Sequence, residues 1–442
     1  DTLERPFDRD KYRVFTKNLL KHVEDKSFVQ RGAYVADAFR DDVKSFERVC
    51  KYDDHEGRTL DVLIVHLARD SALERARTMQ RRFVARYLAG SRGGQLRDAA
   101  IVAFVAPNPD NWRFSLVTMD YRLAESASGR VKVKAEFTPA RRSSFLVGVN
   151  EGSHTAKSQL VPLLEDGDHD PTLARLQTAF RVERVTKEFF EQYRELFLCA
   201  KDLLQKHLAT NATARDHFKA QRIDTVDFAK KLLGQVLFLY FLQKKGWLGV
   251  AKGDLWGTGP KDFMRGLFAG HSGPGSFFDR QLEPLFYDAL ATKRQNDFYG
   301  PFNCRIPFLN GGLFDPIGDY DWRNVAVHLP DELFSNNLMT PAGDVGTGIL
   351  DVFDRYNFTV NEDEPLEKEV AIDPEFLGRI FEKFNAITPE NYDEYRTSLR
   401  SGKSKLEREF NRKYGVRYTP REIVHFMCQE SLTEYLTSAL CD

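Results

Sequence analysis

The stretch VDFAKKLLGQVLFLYFLQKKGWLG, residues 226–249, constrains this chain's fold more than any other. Its centre is apolar nearly all round, and a helix with no polar face has to be covered on every side, as within a bundle. The longest purely apolar run, VLFLYFL (236–242), is far too short to cross a bilayer. Gly246 supplies an end signal. Upstream, TKEFFEQYRELFLCAKDLLQKHL repeats apolar residues at three- and four-residue spacing, so residues 171–248 read as helices. Residues 250–372 read as irregular, with a short helix at 277–290 and an acidic surface segment, NEDEPLEKE, at 361–369. A helix is expected after Asp373-Pro374, and Lys403 to Lys413 as a charged helix or linker.

The first 165 residues follow a different pattern, mixed α and β. A helix over 9–24 precedes two strands, SFERVCKY (45–52) and RTLDVLIVHL (58–67), joined by the polar, Gly-ending turn DDHEG. Ser71 starts a helix to about Leu88. AAIVAFV (99–105) and WRFSLVTMDY (112–121) are strands across the turn APNPDN, RVKVKAEF (130–137) alternates at period two, and SFLVGV (144–149) has the pattern of a buried strand.

At 442 residues, two or three domains are expected, and 42% hydrophobic with 12% aromatic content argues against wholesale disorder. The five cysteines, Cys50, Cys199, Cys304, Cys428 and Cys441, include no Cys-x-x-Cys pair, which speaks against a zinc site and a disulfide framework. No basic segment followed by an apolar run opens the chain, so a cytoplasmic setting away from membranes is expected. The net charge of −1 hides an asymmetry. Residues 1–160 carry 29 Lys and Arg against 22 Asp and Glu, and the remainder 35 against 43. A basic N-terminal part suits a polyanionic partner.

Four local patterns are candidates for chemistry. Helix, hairpin, acid-bearing strand, helix, strand is the element order of PD-(D/E)xK nucleases, in which paired acids hold Mg²⁺ and a Lys lies near the attacking water. Asp61 is the candidate carboxylate, but Leu63 stands where the Lys belongs, and Asp53, Asp54 and Glu56 lie in a turn where acids are routine. In ERARTMQRRFVARYL (74–88), Arg75, Arg82 and Arg86 fall on one helical stripe opposite Leu73, Ala76, Phe83, Val84 and Tyr87. Such a stripe can meet DNA phosphates, or be a solvated face paired with nearby acids. Glu151, His154 and Lys157 share a helical spacing that also suits an ordinary surface helix start. Finally, Thr419-Pro420-Arg421-Glu422 is a capping box with Pro at the first helical position, ahead of Ile423, Val424 and Met427. A helix start also offers free N–H groups to an anion.

Gly415, Tyr418-Thr419-Pro420 and Ile423-Val424 resemble the segment that opens the methyltransferase domain of N6-adenine DNA methyltransferases, above all the fused type IIG restriction–modification enzymes and their phage-defence relatives. LDVLIVHL with ERARTMQRRFVARYL, AKKLLGQVLFLYFLQKKGWLG, CRIPFLNGGLFDP, GILDVFDRYNFTVNEDEPLEKEVAIDPEFLGRIFE and EKFNAI resemble the family's N-terminal and helical regions. The resemblance implies an α+β architecture. It comprises a basic, nuclease-like or DNA- or partner-binding α/β domain over 1–168, a helical spacer over 169–400, and the start of a class I methyltransferase domain over 401–442. It implies S-adenosylmethionine as cofactor, with Thr419 in contact and Tyr418 and Pro420 shaping the pocket. It also implies double-stranded DNA as substrate, with an adenine flipped from the duplex for methylation at N6. Mg²⁺ enters if the first domain is a nuclease, and defence-system proteins are expected partners. Neither the Gly-rich cofactor loop nor the Asn/Asp-Pro-Pro-Tyr/Phe tetrapeptide occurs in these residues, so the chain is expected to be part of a longer polypeptide and not to methylate alone.

Overall fold

The computed structural model describes residues 2–90, 95–125, 131–167, 170–309, 311–341, 343–360, 366–400, 410, 412–414, 419 and 421–441. The chain is mixed α and β and divides into two units, residues 1–189 with 354–372 and residues 190–353 with 373–442.

The first unit is built on one seven-stranded sheet in the order β1-β2-β3-β4-β5-β6-β9. Its strands are β1 (Phe28–Arg31), β2 (Val43–Asp53), β3 (Thr59–Leu67), β4 (Ala99–Val105), β5 (Asn111–Glu125), β6 (Val131–Gly148) and, from far along the chain, β9 (Glu367–Glu369). The short ribbon β7 (Phe298–Tyr299) and β8 (Cys304–Arg305) belongs to the second unit. β2 and β3 form the expected antiparallel hairpin. Its turn is held by Asp54, whose Oδ1 accepts from the backbone N–H groups of Glu56 and Arg58 at 3.0 and 2.8 Å, while Gly57 takes φ +78°. β3 and β4 are parallel, which needs a crossover, and α2 (Ala72–Arg75) and α3 (Arg77–Leu88) supply it.

Alternation along the strands sends one set of side chains to each face. On the α3 face, Leu63, Val65, Ala100, Val102, Phe104 and Val117 pack with Phe83, Val84 and Leu88. The other face takes α1 (Arg9–Leu20), where Tyr12 meets Trp112 and Phe114 edge-on and donates to the carbonyl of Leu63 at 3.2 Å. Two readings of the sequence need correction here. Ala76, at φ −99° and ψ 36°, breaks the helix expected from Ser71 to Leu88. In addition, residues 366–369 do not form part of an acidic surface segment, since β9 pairs parallel to β6 with Glu367 and Glu369 buried. Residues 361–365 lie outside the described residues.

The physical reason is a buried guanidinium–carboxylate cluster on the α3 face. Arg81 Nε donates to Glu367 Oε1 at 2.8 Å, Arg113 Nη1 to Glu369 Oε2 at 3.1 Å, and Arg142 Nη2 lies 3.5 Å from Glu367 Oε2. Arg142 Nη1 also donates to Gln80 Oε1 at 2.5 Å. Buried guanidinium groups need carboxylate partners, and the two that β9 brings are acidic because they meet arginines. Burial and the neighbouring Arg113 push the Arg142 pKa down, yet a guanidinium remains charged near neutrality. Two helices, α4 (His154–Glu165) and α5 (Leu173–Ala179), and the first turns of the long α6 (Val182–Thr210) follow in this unit.

The second unit is helical, with α7 (Ala212–Ala220), α8 (Thr225–Lys245), α9 (Phe263–Ala269), α10 (Ile349–Arg355, whose last residues count with the sheet), α11 (Pro374–Asn385), α12 (Tyr392–Arg400) and α13 (Arg421–Cys441). α8 is the expected buried helix, capped by Asp224 accepting from Val226 N–H and closed by Gly246 in the left-handed region. Gly234 lets α11 approach, because a Cβ there would stand 3.0 Å from Phe381 Cε1. Phe384 on α11 meets Phe190, Tyr193 and Phe197 of α6 edge-on.

Candidate nucleic-acid interface

Asp61 lies near the start of β3 on the α3 face and is 1% exposed. Its Oδ2 accepts from Tyr87 Oη, on the last turn of α3, at 2.5 Å. Arg48 Nη1 from β2 is 3.5 Å from the same oxygen, and Arg97 Nε, just before β4, is 3.5 Å from Oδ1. Lys51 is the cross-strand partner of Asp61. Burial, with the Asp61 charge beside it, raises the Tyr87 pKa far above neutrality, so this hydroxyl is a standing donor.

These groups border a cavity of about 550 Å³, whose charged lining among the described residues is Lys26, Arg48, Lys51, Arg86 and Arg97 against Asp61. Phe28, Phe46, Phe83 and Tyr87 form an edge-to-face cluster on its wall, with the Arg48 guanidinium 4.5 Å over the Phe28 ring. Burial lowers the Lys51 pKa, and the positive charges of Arg97 and Arg48 lower it further. The cavity is an electropositive, aromatic-walled concavity, which is the chemistry of an anion with a flat ring attached.

Other sequence candidates are placed as follows. Arg75, Arg82 and Arg86 are all exposed, Arg75 on α2 and the other two on α3 beyond the break at Ala76. Arg86 also lines the cavity. Asp54 is spent on its turn, and its Oδ2 accepts from Leu173 N–H at 2.9 Å. Asp53 pairs with Arg97 at 3.3 Å. Glu151, His154 and Lys157 do not converge on one site. His154 Nε2 lies 3.2 Å from Glu188 Oε1, and Lys157 Nζ with Ser153 Oγ holds Glu4, whose pKa falls to about 2 because both donate to it. Thr419 is exposed, ahead of α13, while Tyr418 and Pro420 lie outside the described residues.

A magnesium ion of the kind a nuclease uses needs several oxygen ligands. The cavity offers one carboxylate, already between two guanidinium groups, and that donor set does not fit the ion. Among the described residues no three His, Cys, Asp or Glu side chains gather as a metal site. Sequence reasoning missed Arg48, Lys51 and Arg97. They come from three separate positions and no spacing links them; only the pairing of Lys51 with Asp61 across an assumed hairpin register pointed that way.

Comparison with known proteins gives one informative similarity. A curated protein of Methanocaldococcus jannaschii, provisionally named a type II restriction enzyme and methyltransferase, is 26% identical over 271 residues. The match takes in 57% of this chain, which spans 19% of that protein's length. No family model and no solved structure matches the chain. Among the described residues no helix is long and apolar enough to cross a membrane.

Proposed function

We propose that this chain belongs to an S-adenosylmethionine-dependent DNA methyltransferase of a type IIG-like restriction–modification or phage-defence system, methylating adenine at N6, in which the first unit contacts duplex DNA. The observation that carries this reading is the 271-residue similarity to a restriction enzyme and methyltransferase. The Tyr418-Thr419-Pro420 segment narrows it to adenine-N6 chemistry by resemblance, and the basic first 160 residues suit a DNA partner.

The chain's own residues have limited, definable parts in this. Arg75, Arg82 and Arg86 are exposed and can each donate to a backbone phosphate, which sets position on the duplex without reading its sequence. Thr419, exposed before α13, carries a hydroxyl at a helix start, where an anionic group such as an amino-acid carboxylate is favoured. S-adenosylmethionine, when bound, supplies the activated methyl group. A second defence protein is a further proposed partner.

The test is methyl transfer by the longest natural polypeptide that contains these residues. Incubated with duplex DNA and S-adenosylmethionine carrying a labelled methyl group, it is expected to yield labelled N6-methyladenine on nucleoside analysis. Label in cytosine, or none in DNA, would refute the reading.

A further inference from the structure

We propose that the cavity beside Asp61 binds a single unpaired nucleotide, with its phosphate on Arg48, Lys51 and Arg97 and its base against the aromatic wall. The ligand is either a free nucleotide or a nucleotide of a single strand or strand end. This inference rests on the DNA-binding reading only for the second of those sources.

Three observations converge on it. The first is charge: among the described residues five cationic side chains border the cavity, and even with Glu24 paired to Lys26 and Asp53 to Arg97 beside the lining carboxylate Asp61, the local balance stays positive. Surface cations can be left to solvent. Here, however, the Arg97 side chain is 8% exposed and that of Arg48 18%, so water does little to screen them from each other. The second is the partly idle carboxylate. Asp61 Oδ1 is buried with no hydrogen bond, although Arg97 stands 3.5 Å away. A phosphate that draws Arg97 and Arg48 into the cavity leaves Asp61 as their anchor, holding both guanidinium groups by ion pairing from behind. The third is shape and surface. Phe28, Phe46, Phe83 and Tyr87 lie on the wall, and Tyr34, 61% exposed, borders the same cavity. Rings of this kind stack on any base, whatever its sequence.

Size separates this ligand from a duplex. A cavity of about 550 Å³ lies within the range of small-ligand pockets. A double helix, whose major groove alone is about 12 Å wide, does not enter a space of that volume. Inorganic phosphate alone would leave the aromatic wall unused. Gln30 and Gln95 also border the cavity and offer amide donors and acceptors for a base edge.

The experiment is equilibrium binding to the whole chain by calorimetry. The probes are deoxyadenosine monophosphate, inorganic phosphate, a short single-stranded oligonucleotide and the same sequence as a closed-ended duplex. The mononucleotide should bind about tenfold or more tightly than phosphate, the margin a stacked base contributes. Lys51→Gln should weaken the nucleotide about tenfold, and Tyr34→Ala should narrow its margin over phosphate while leaving phosphate binding intact. Tyr34 is exposed and Lys51 half-buried, so both variants are expected to fold, which circular dichroism checks. Displacement of the mononucleotide by the single strand at lower concentration identifies a strand as the source, and the reverse order identifies a free nucleotide. A mononucleotide no tighter than phosphate, binding unchanged in a folded Lys51→Gln protein, or displacement by the closed duplex alone would overturn the proposal. Duplex binding through the exposed arginines would survive any of those results, so the two readings fail separately.

Discussion

At the scale of single residues, the buried charges decide most. Glu367 and Glu369 look like surface acids in sequence, because NEDEPLEKE is hydrophilic and lies in an irregular region. Their burial, 1% and 3% exposed, follows from arginines more than two hundred residues earlier, and no local pattern carries that information. Removing one partner of such a pair leaves an uncompensated buried charge. Glu369→Ala is therefore expected to destabilise the sheet unit by about 3–5 kcal/mol, read from urea unfolding followed by circular dichroism. A loss below about 1 kcal/mol, the range of exposed pairs, would contradict the buried cluster.

Glu283 makes a second residue-scale case. It is 1% exposed and accepts from Tyr320 Oη at 2.6 Å, yet burial pushes its pKa up to about 9. Its folded pKa lies above the unfolded value near 4.5, so the protonated form is the one the fold favours. The stability this gives is complete below about pH 4.5 and is lost as pH rises through about 9. Glu283→Gln should flatten the fall of melting temperature over that window. A slope equal to the wild type would remove Glu283 as its source.

At the scale of elements, periodicity was a good guide where one element buried its own face. α8 was legible because nothing but a bundle can cover a helix apolar on all sides, and the β2–β3 hairpin because its turn chemistry is local. The break at Ala76 was not legible. Ala is a strong helix former, and its departure reflects how α2 and α3 must both reach the sheet, with Leu73 and Phe83 in one core. The end of α8 offers a direct check. Gly246 takes φ +70°, and a Cβ there would stand 2.3 Å from the Gly257 carbonyl oxygen. Gly246→Ala should cost more than about 1 kcal/mol in chemical denaturation, since both strain and clash oppose it. A neutral substitution would contradict the described close of the helix.

At the scale of the molecule, the composition pointed to a polyanionic partner but not to where it would bind. The exposed arginines of α2 and α3 are visible in a helical projection, whereas the cavity beside Asp61 depends on β2, β3, α3 and the approach to β4 together. Asp61 stands out in the sequence for a different reason. The element order suggested a metal-holding acid, and the structure surrounds it with guanidinium groups instead. Both features are electropositive, at a site and on a stripe that differ in what they can accept. The most direct measurement is duplex-DNA affinity across a salt series, for the wild-type chain and for the Arg75→Gln, Arg82→Gln, Arg86→Gln triple variant. The logarithm of affinity is expected to fall linearly with the logarithm of salt, with a slope shallower by about 0.9 for each phosphate-contacting arginine removed. Binding that ignores salt, or an identical slope in both proteins, would contradict it.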